Sequence, residues 1–157
     1  MTFDDAFDKL IGHEGGYVYD PRDPGGETKY GISKRAYPDL NIQSLTLDQA
    51  KALYRKDYWD KLRLQELPEA IRYSLFDTAV NAGIKQAVTL LQRAAGVAED
   101  GVIGRVTIAE ANALGPLQLV VRYNAHRLKF LTDLKGWEAF GKGWARRVVT
   151  ILLDAVK

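Results

Sequence analysis

The stretch "HEGGYVYDPRDPGGETKYGIS", residues 13–33, decides how this chain is read. Ahead of it, Phe3, Phe7, Leu10 and Ile11 recur at helical spacing, which predicts an amphipathic first helix over residues 3–13. Glu14 continues the series 3–7–10 and is expected on the core-facing stripe at the last turn, with Gly15 and Gly16 as the stop. Beyond it, "YVYD" and "TKYGIS" are short extended candidates separated by Pro- and Gly-rich turn chemistry, which predicts a hairpin or a small irregular sheet.

A carboxyl group at a helix C-terminus faces the negative end of the helix dipole, and an apolar flank takes water away from it. Both effects disfavour ionisation and raise the pKa, as a general acid near neutral pH requires. Position alone leaves a competing reading, a surface glutamate that happens to end a helix. Asp20, ahead of Pro21, fits an Asx-type turn.

Composition narrows the function classes. The 157 residues are enough for one domain with a sizeable core, and 46% hydrophobic with 27% charged residues is ordinary for a globular chain. The net charge of +2 is mildly basic, which suits an anionic polymer without singling one out. With no Cys there is neither a disulfide framework nor thiolate chemistry. His13 and His126 are the only imidazoles, and no H-E-x-x-H occurs, so no metal site and no cofactor are expected. "MTFDDAFDKL" lacks the basic start of a secretory signal, and "VVTILL" at 148–153 is too short to span a bilayer. Synthesis in the cytosol without stable membrane insertion is therefore expected.

The rest of the chain reads as helices. Thr46 with Gln49 forms a capping box opening a helix to about residue 59, and Pro68 begins another that stops at Gly83. "IKQAVTLLQRAAG" is a helix ending at Gly96, and Thr107 with Glu110 reads as a second capping box after the turn "EDGVIGRVT". Pro116 starts a long helix toward residue 134, and a last helix covers roughly 137–156. Tyr73, Asp77 and Asn81 fall on one stripe of the 68–82 helix, where they either line a binding cleft or form a solvated or structural network. Trp59, Trp137 and Trp144 have rings that match the C–H face of a sugar, although core packing is the commoner use. Arg146 and Arg147 either meet anionic groups of a partner or pair with acids of the chain itself.

Eight residues separate Glu14 from Asp23, and four separate Asp23 from Thr28. This resembles the phage-type lysozyme arrangement of a Glu at a helix end followed by an Asp and a Thr on a small sheet, with the second gap one residue shorter here. The whole 13–33 stretch resembles the signature of glycoside hydrolase family 108, the N-acetylmuramidases of phage endolysins and of some secretion-associated bacterial muramidases. The resemblance continues in "DYW" (57–59), "LFDTAVNAG" (75–83) and "GWARRV" (143–148), and "LLQRAAGVAEDGVIGRVT" is similar to the peptidoglycan-binding segment of many members.

That resemblance implies a mainly helical, lysozyme-like α+β fold. It divides the chain into a muramidase region at 1–84 and a peptidoglycan-binding-like helical region at 85–157, packed into one unit. The implied activity is endo-acting cleavage of the β-1,4 bond between N-acetylmuramic acid and N-acetylglucosamine, most simply by a phage endolysin acting as a monomer. Its partner is the glycan strand of peptidoglycan rather than nucleic acid, reached after holin-type or other release. Glu14 is implied as the proton donor, Asp23 as the second carboxylate and Thr28 as the group that positions water. Glu27 is the rival to Asp23, and with Tyr30, Tyr73, Asp77 and Asn81 it completes the expected substrate-binding set. The alternatives are a lytic transglycosylase, which needs no positioned water, a secretion-associated muramidase, and a wall-binding protein without catalysis.

Overall fold

Local signals start and stop most of the helices where they are expected. The structure is a computed structural model, and it describes residues 1–12 and 16–157. Among these residues are seven α-helices, a π-helical turn, a 3-10 turn and a three-stranded antiparallel sheet. They divide into an N-terminal unit, Thr2–Lys61, and a C-terminal unit of Leu62–Lys157 with Met1.

In the N-terminal unit, α1 (Phe3–Ile11) opens on a capping box that the sequence reading passed over: the Thr2 side chain accepts from the Asp5 N–H while Asp5 accepts from the Thr2 N–H. The helix is shorter than expected and ends at Ile11 with Gly12 as its cap. Phe3, Ala6, Phe7 and Leu10 form its buried face. Against that face stand Tyr54, whose ring centroid is 5.7 Å from Phe7, and Trp59, 5.5 Å from Phe3. The expected helix from Thr46 divides into α2 (Leu47–Tyr54), with the predicted Thr46–Gln49 capping box, and a π turn at Arg55–Trp59. Trp59, considered above as a sugar platform, is 0% exposed and belongs to the core.

The sheet has one strand more than the two expected. β1 (Val18–Tyr19) pairs with β2 (Glu27–Lys29), which pairs with β3 (Ile32–Ser33). "TKYGIS" is itself a hairpin. Its two-residue turn is Tyr30–Gly31, with φ of 51° and 75°, the left-handed pair that matches the twist of the flanking strands. Tyr30 is not a glycine, so this conformation is strained, and the buried Tyr54 offsets the strain by donating its hydroxyl hydrogen to the Tyr30 carbonyl at 2.8 Å. Tyr54→Phe is expected to lower the stability of the protein by about 1 kcal/mol, the usual net worth of one such bond. Urea unfolding followed by far-UV circular dichroism measures it, and an unchanged midpoint would show that the turn holds without this bond.

In the C-terminal unit, α3 (Glu69–Ala82) runs from Pro68 to the stop at Gly83 and packs on α4 (Ile84–Ala95) and α6 (Pro116–Thr132). α7 (Trp137–Ala155) packs mainly on α6. α4 ends at Gly96, whose φ of 76° is the left-handed cap, and α6 starts on Pro116. The second capping box does not form. α5 (Arg105–Ala113) starts three residues earlier than expected with Gly104 as its cap, which leaves Thr107 inside the helix. The reason is tertiary: Thr107 is buried, and its hydroxyl lies 3.2 Å from the Gln92 side-chain nitrogen. Gln92 also holds the turn before α5, bonding Asp100 at 2.7 Å and accepting from the Gly101 N–H at 2.9 Å.

Candidate active site

The site residues of the N-terminal unit are arranged by two Asx turns and the sheet. Asp20 accepts from the Arg22 N–H at 3.0 Å, the Asx turn expected before Pro21, and also takes the Arg22 guanidinium on both oxygens. The Arg22 side chain, and then its backbone N–H, hold the Asp20 carboxyl below its ordinary range. Asp23 repeats the turn three residues on, accepting from the Gly25 N–H at 2.8 Å. Its own N–H bonds the Asp20 carbonyl at 2.9 Å, and its carbonyl accepts from the Gly26 N–H at 3.0 Å. The loop between β1 and β2 is thus a chain of short hydrogen-bonded turns, which is why so many Asp, Pro and Gly residues fall together in it.

Sheet register sorts the candidates by face. Residues paired across antiparallel strands share a face, and neighbours along a strand alternate. Val18, Thr28 and Ser33 therefore lie on one face, while Tyr19, Glu27, Lys29 and the buried Ile32 lie on the other. Asp23 is in the loop before β2, and Gly25 lies between it and Ser33. A Cβ added at Gly25 would sit 3.2 Å from the Asp23 carboxylate and 3.7 Å from the Ser33 Cβ, and Ser33 shares the face of Thr28. Glu27 points the other way. Its charge and that of Tyr19 act on Tyr17, whose phenol pKa is raised first by burial and then by Glu27. Asp23 is exposed and Glu27 is half-buried.

Tyr17 and Tyr19, both exposed, stand on the side of Glu27 and were overlooked in the sequence reading. Their signal was the alternation in "YVY", which brings both rings to one face of an extended segment. Tyr30, the aromatic preferred from sequence, is half-buried in the turn, with its carbonyl held by Tyr54. Glu14, the expected proton donor, lies outside the described residues.

The stripe expected on α3 is divided by burial. Asp77 is not on an open polar face: it is 0% exposed and paired with two arginines. Arg147 donates through Nε at 2.9 and 3.0 Å and through Nη2, and Arg127 donates through Nη2 at 2.8 Å. Helices α4, α6 and α7 all pack against α3, and they enclose this side of the helix. Tyr73 is buried too, and that burial, with the charge of Asp77 next in weight, pushes its phenol pKa well up. Asn81 is exposed, with its amide nitrogen donating to the Asp77 carbonyl at 2.8 Å. Of the remaining tryptophans, Trp137 and Trp144 meet with ring centroids 6.3 Å apart and planes tilted by 49°, and both are half-buried. No cluster with metal-ligand spacing occurs among the described residues, and none of their helices is long and apolar enough to cross a membrane.

Comparison with known proteins defines the class. The sequence model of glycosyl hydrolase 108 matches residues 7–83, and that of a "Predicted Peptidoglycan domain" matches residues 86–149. The chain is similar to the solved structure of Brucella abortus SagA, with 33% identity, 98% of this chain and 93% of that chain covered, and a TM-score of 0.88. No curated protein sequence matches significantly. The protein is a glycoside hydrolase with peptidoglycan as its substrate. It belongs to glycosyl hydrolase family 108 and has the mainly helical, lysozyme-like α+β fold.

Proposed function

We propose that the protein is an endo-acting N-acetylmuramidase, hydrolysing the β-1,4 bond between N-acetylmuramic acid and N-acetylglucosamine, and that it serves as a phage endolysin. The observation that carries the hydrolytic reading is the exposed Asp23 in the turn-rich loop that leads directly into β2, the strand carrying Thr28. Glycosidic hydrolysis needs one carboxyl group to protonate the leaving oxygen and a second group to activate water or to stabilise the oxocarbenium-like transition state. Glu14 takes the first role. Asp23, exposed to solvent, takes the second, and the Thr28 hydroxyl orients the water. Glu27, with Tyr30 and Asn81, is assigned to substrate binding, whereas Tyr73 is buried in the helical unit. Asp77 acts through the arginines it holds, since it is itself fully buried. An endolysin role places the work on the wall, after release from the cytosol where the chain is made, as a monomer.

Mass spectrometry of digested peptidoglycan tests the bond and the chemistry together. Reducing muramic ends are expected. Reducing glucosamine ends would overturn the bond assignment, and 1,6-anhydro ends would mean a transglycosylase. The second carboxylate is tested separately. Asp23→Asn should lower wall hydrolysis by roughly 10²-fold or more without shifting the thermal midpoint, while Glu27→Gln should change it far less. The reverse order of effects would exchange their roles.

A further inference from the structure

Strand β1 lies at an edge of the sheet and gives no side chain to the core. Tyr17 just before it is 40% exposed, and Val18 and Tyr19 within it are 55% and 59% exposed. Singly exposed hydrophobic residues are ordinary, but contiguous ones mark a binding surface. Packing therefore does not explain why this segment carries two large aromatic rings. Strand register sets Tyr19 directly opposite Glu27, and alternation brings Tyr17 to the same side, with Cα atoms about 7 Å apart along the extended segment. The charge of Glu27 reaches the Tyr17 phenol, so the three side chains are neighbours. Glu27 is half-buried, and among the described residues no donor is bonded to its carboxylate. The Tyr19–Glu27 pair also closes the loop that carries Asp23, since β1 ends at Tyr19 and β2 begins at Glu27.

We propose that Tyr17 and Tyr19 form a stacking platform for the glycan strand, with Glu27 accepting hydrogen bonds from the hydroxyl or N-acetyl amide groups of the sugars that rest on it. A pyranose has apolar C–H faces and a rim of O–H and N–H donors. A flat aromatic ring matches the faces, and a carboxylate, which only accepts, matches the rim. Two rings set apart along a strand present an extended surface, which suits a polymer better than a free monosaccharide. A second copy of the chain adding a strand at this edge fits less well, because β1 offers only two residues for pairing. The inference rests on the proposed function, in which the glycan strand is the substrate, and adds the residues that hold it beside the loop of Asp23.

Hydrolysis of soluble glycan strands freed of their peptides, with KM and kcat measured separately, is the test. Tyr17→Ala and Tyr19→Ala are each expected to raise KM about fivefold or more while kcat changes less than about twofold, as for a contact made equally in ground and transition states. Tyr19→Phe keeps the ring and should stay near the wild type. Tyr19→Leu keeps apolar bulk without the flat face and should behave like Tyr19→Ala, so this pair decides the matter even if an alanine variant loses its fold. Circular dichroism checks the fold of each. An unchanged KM in both alanine variants, a loss confined to kcat, or a Leu variant as good as Phe would overturn the platform. So would a dimer that dissociates on Tyr19→Ala with KM unmoved. A wild type that does not cleave the strands would count against the proposed function instead, and isothermal titration of the same strands into wild type and Tyr19→Ala would then still read the platform as a difference in affinity.

Discussion

Glu14→Gln is expected to remove nearly all hydrolysis of purified cell walls while leaving the fold intact. The amide has the shape of the acid but no proton to give, and general acid catalysis of this kind contributes roughly 10²–10⁴-fold. Departure of the glycosidic oxygen is the step that suffers, since without protonation it leaves as an alkoxide. A turbidity assay on purified walls reads the rate, and circular dichroism reads the fold. Activity within a few-fold of the wild type would sink the assignment of the acid. A variant that loses its fold would be replaced by Glu14→Asp, which keeps the carboxyl group and withdraws it by one methylene. A partial loss there, beside a full loss in a folded Gln variant, would still identify the proton as the missing element.

Asp77→Ala is expected to have the largest effect on stability, a loss of about 3–5 kcal/mol, because it leaves two arginines in the helical unit without their shared counter-charge. Asp77 is 0% exposed and Arg127 4%, so little water can replace the lost carboxylate. The cost arises from breaking the cluster rather than from its net worth as an ion pair. Combining Asp77→Ala with Arg127→Leu should therefore recover part of the loss, since one of the stranded charges is then removed as well. Urea unfolding of the two single variants and the double variant forms a mutant cycle. Strict additivity would show that Asp77 and Arg127 are not coupled, and a loss under about 1 kcal/mol would show that water reaches the cluster.

The positions of these residues separate what is local from what is not. Helix ends were legible in the sequence because their causes lie within four residues. Thr46 with Gln49, Pro116, and the stops at Gly83 and Gly96 each act through a dihedral preference or a neighbouring N–H. The turn-rich loop was legible for the same reason, since Asp20 and Asp23 bond backbone two residues away. Family membership was legible too, because the signature of residues 13–33 is long and continuous.

Where a partner from elsewhere in the chain competes, the local reading gave way. Thr107 has the spacing of a capping residue, but Gln92, fifteen residues earlier, brings it inside the unit, and α5 starts at Arg105 instead. Asp77 was read either as part of a cleft lining or of a structural network, and its own turn of helix could not say which. Arg147, seventy residues away, and Arg127 convert it into the centre of a buried charge cluster. The carbonyl of Tyr30 is likewise held from a distance, by Tyr54 twenty-four residues on, in a left-handed turn. The sequence by itself determined the helices, the loop chemistry and the family, because propensity, capping and a contiguous signature are short-range properties. Tertiary structure alone decided which polar residues are buried and which face each candidate occupies, because burial and strand register depend on segments brought together only when the chain folds.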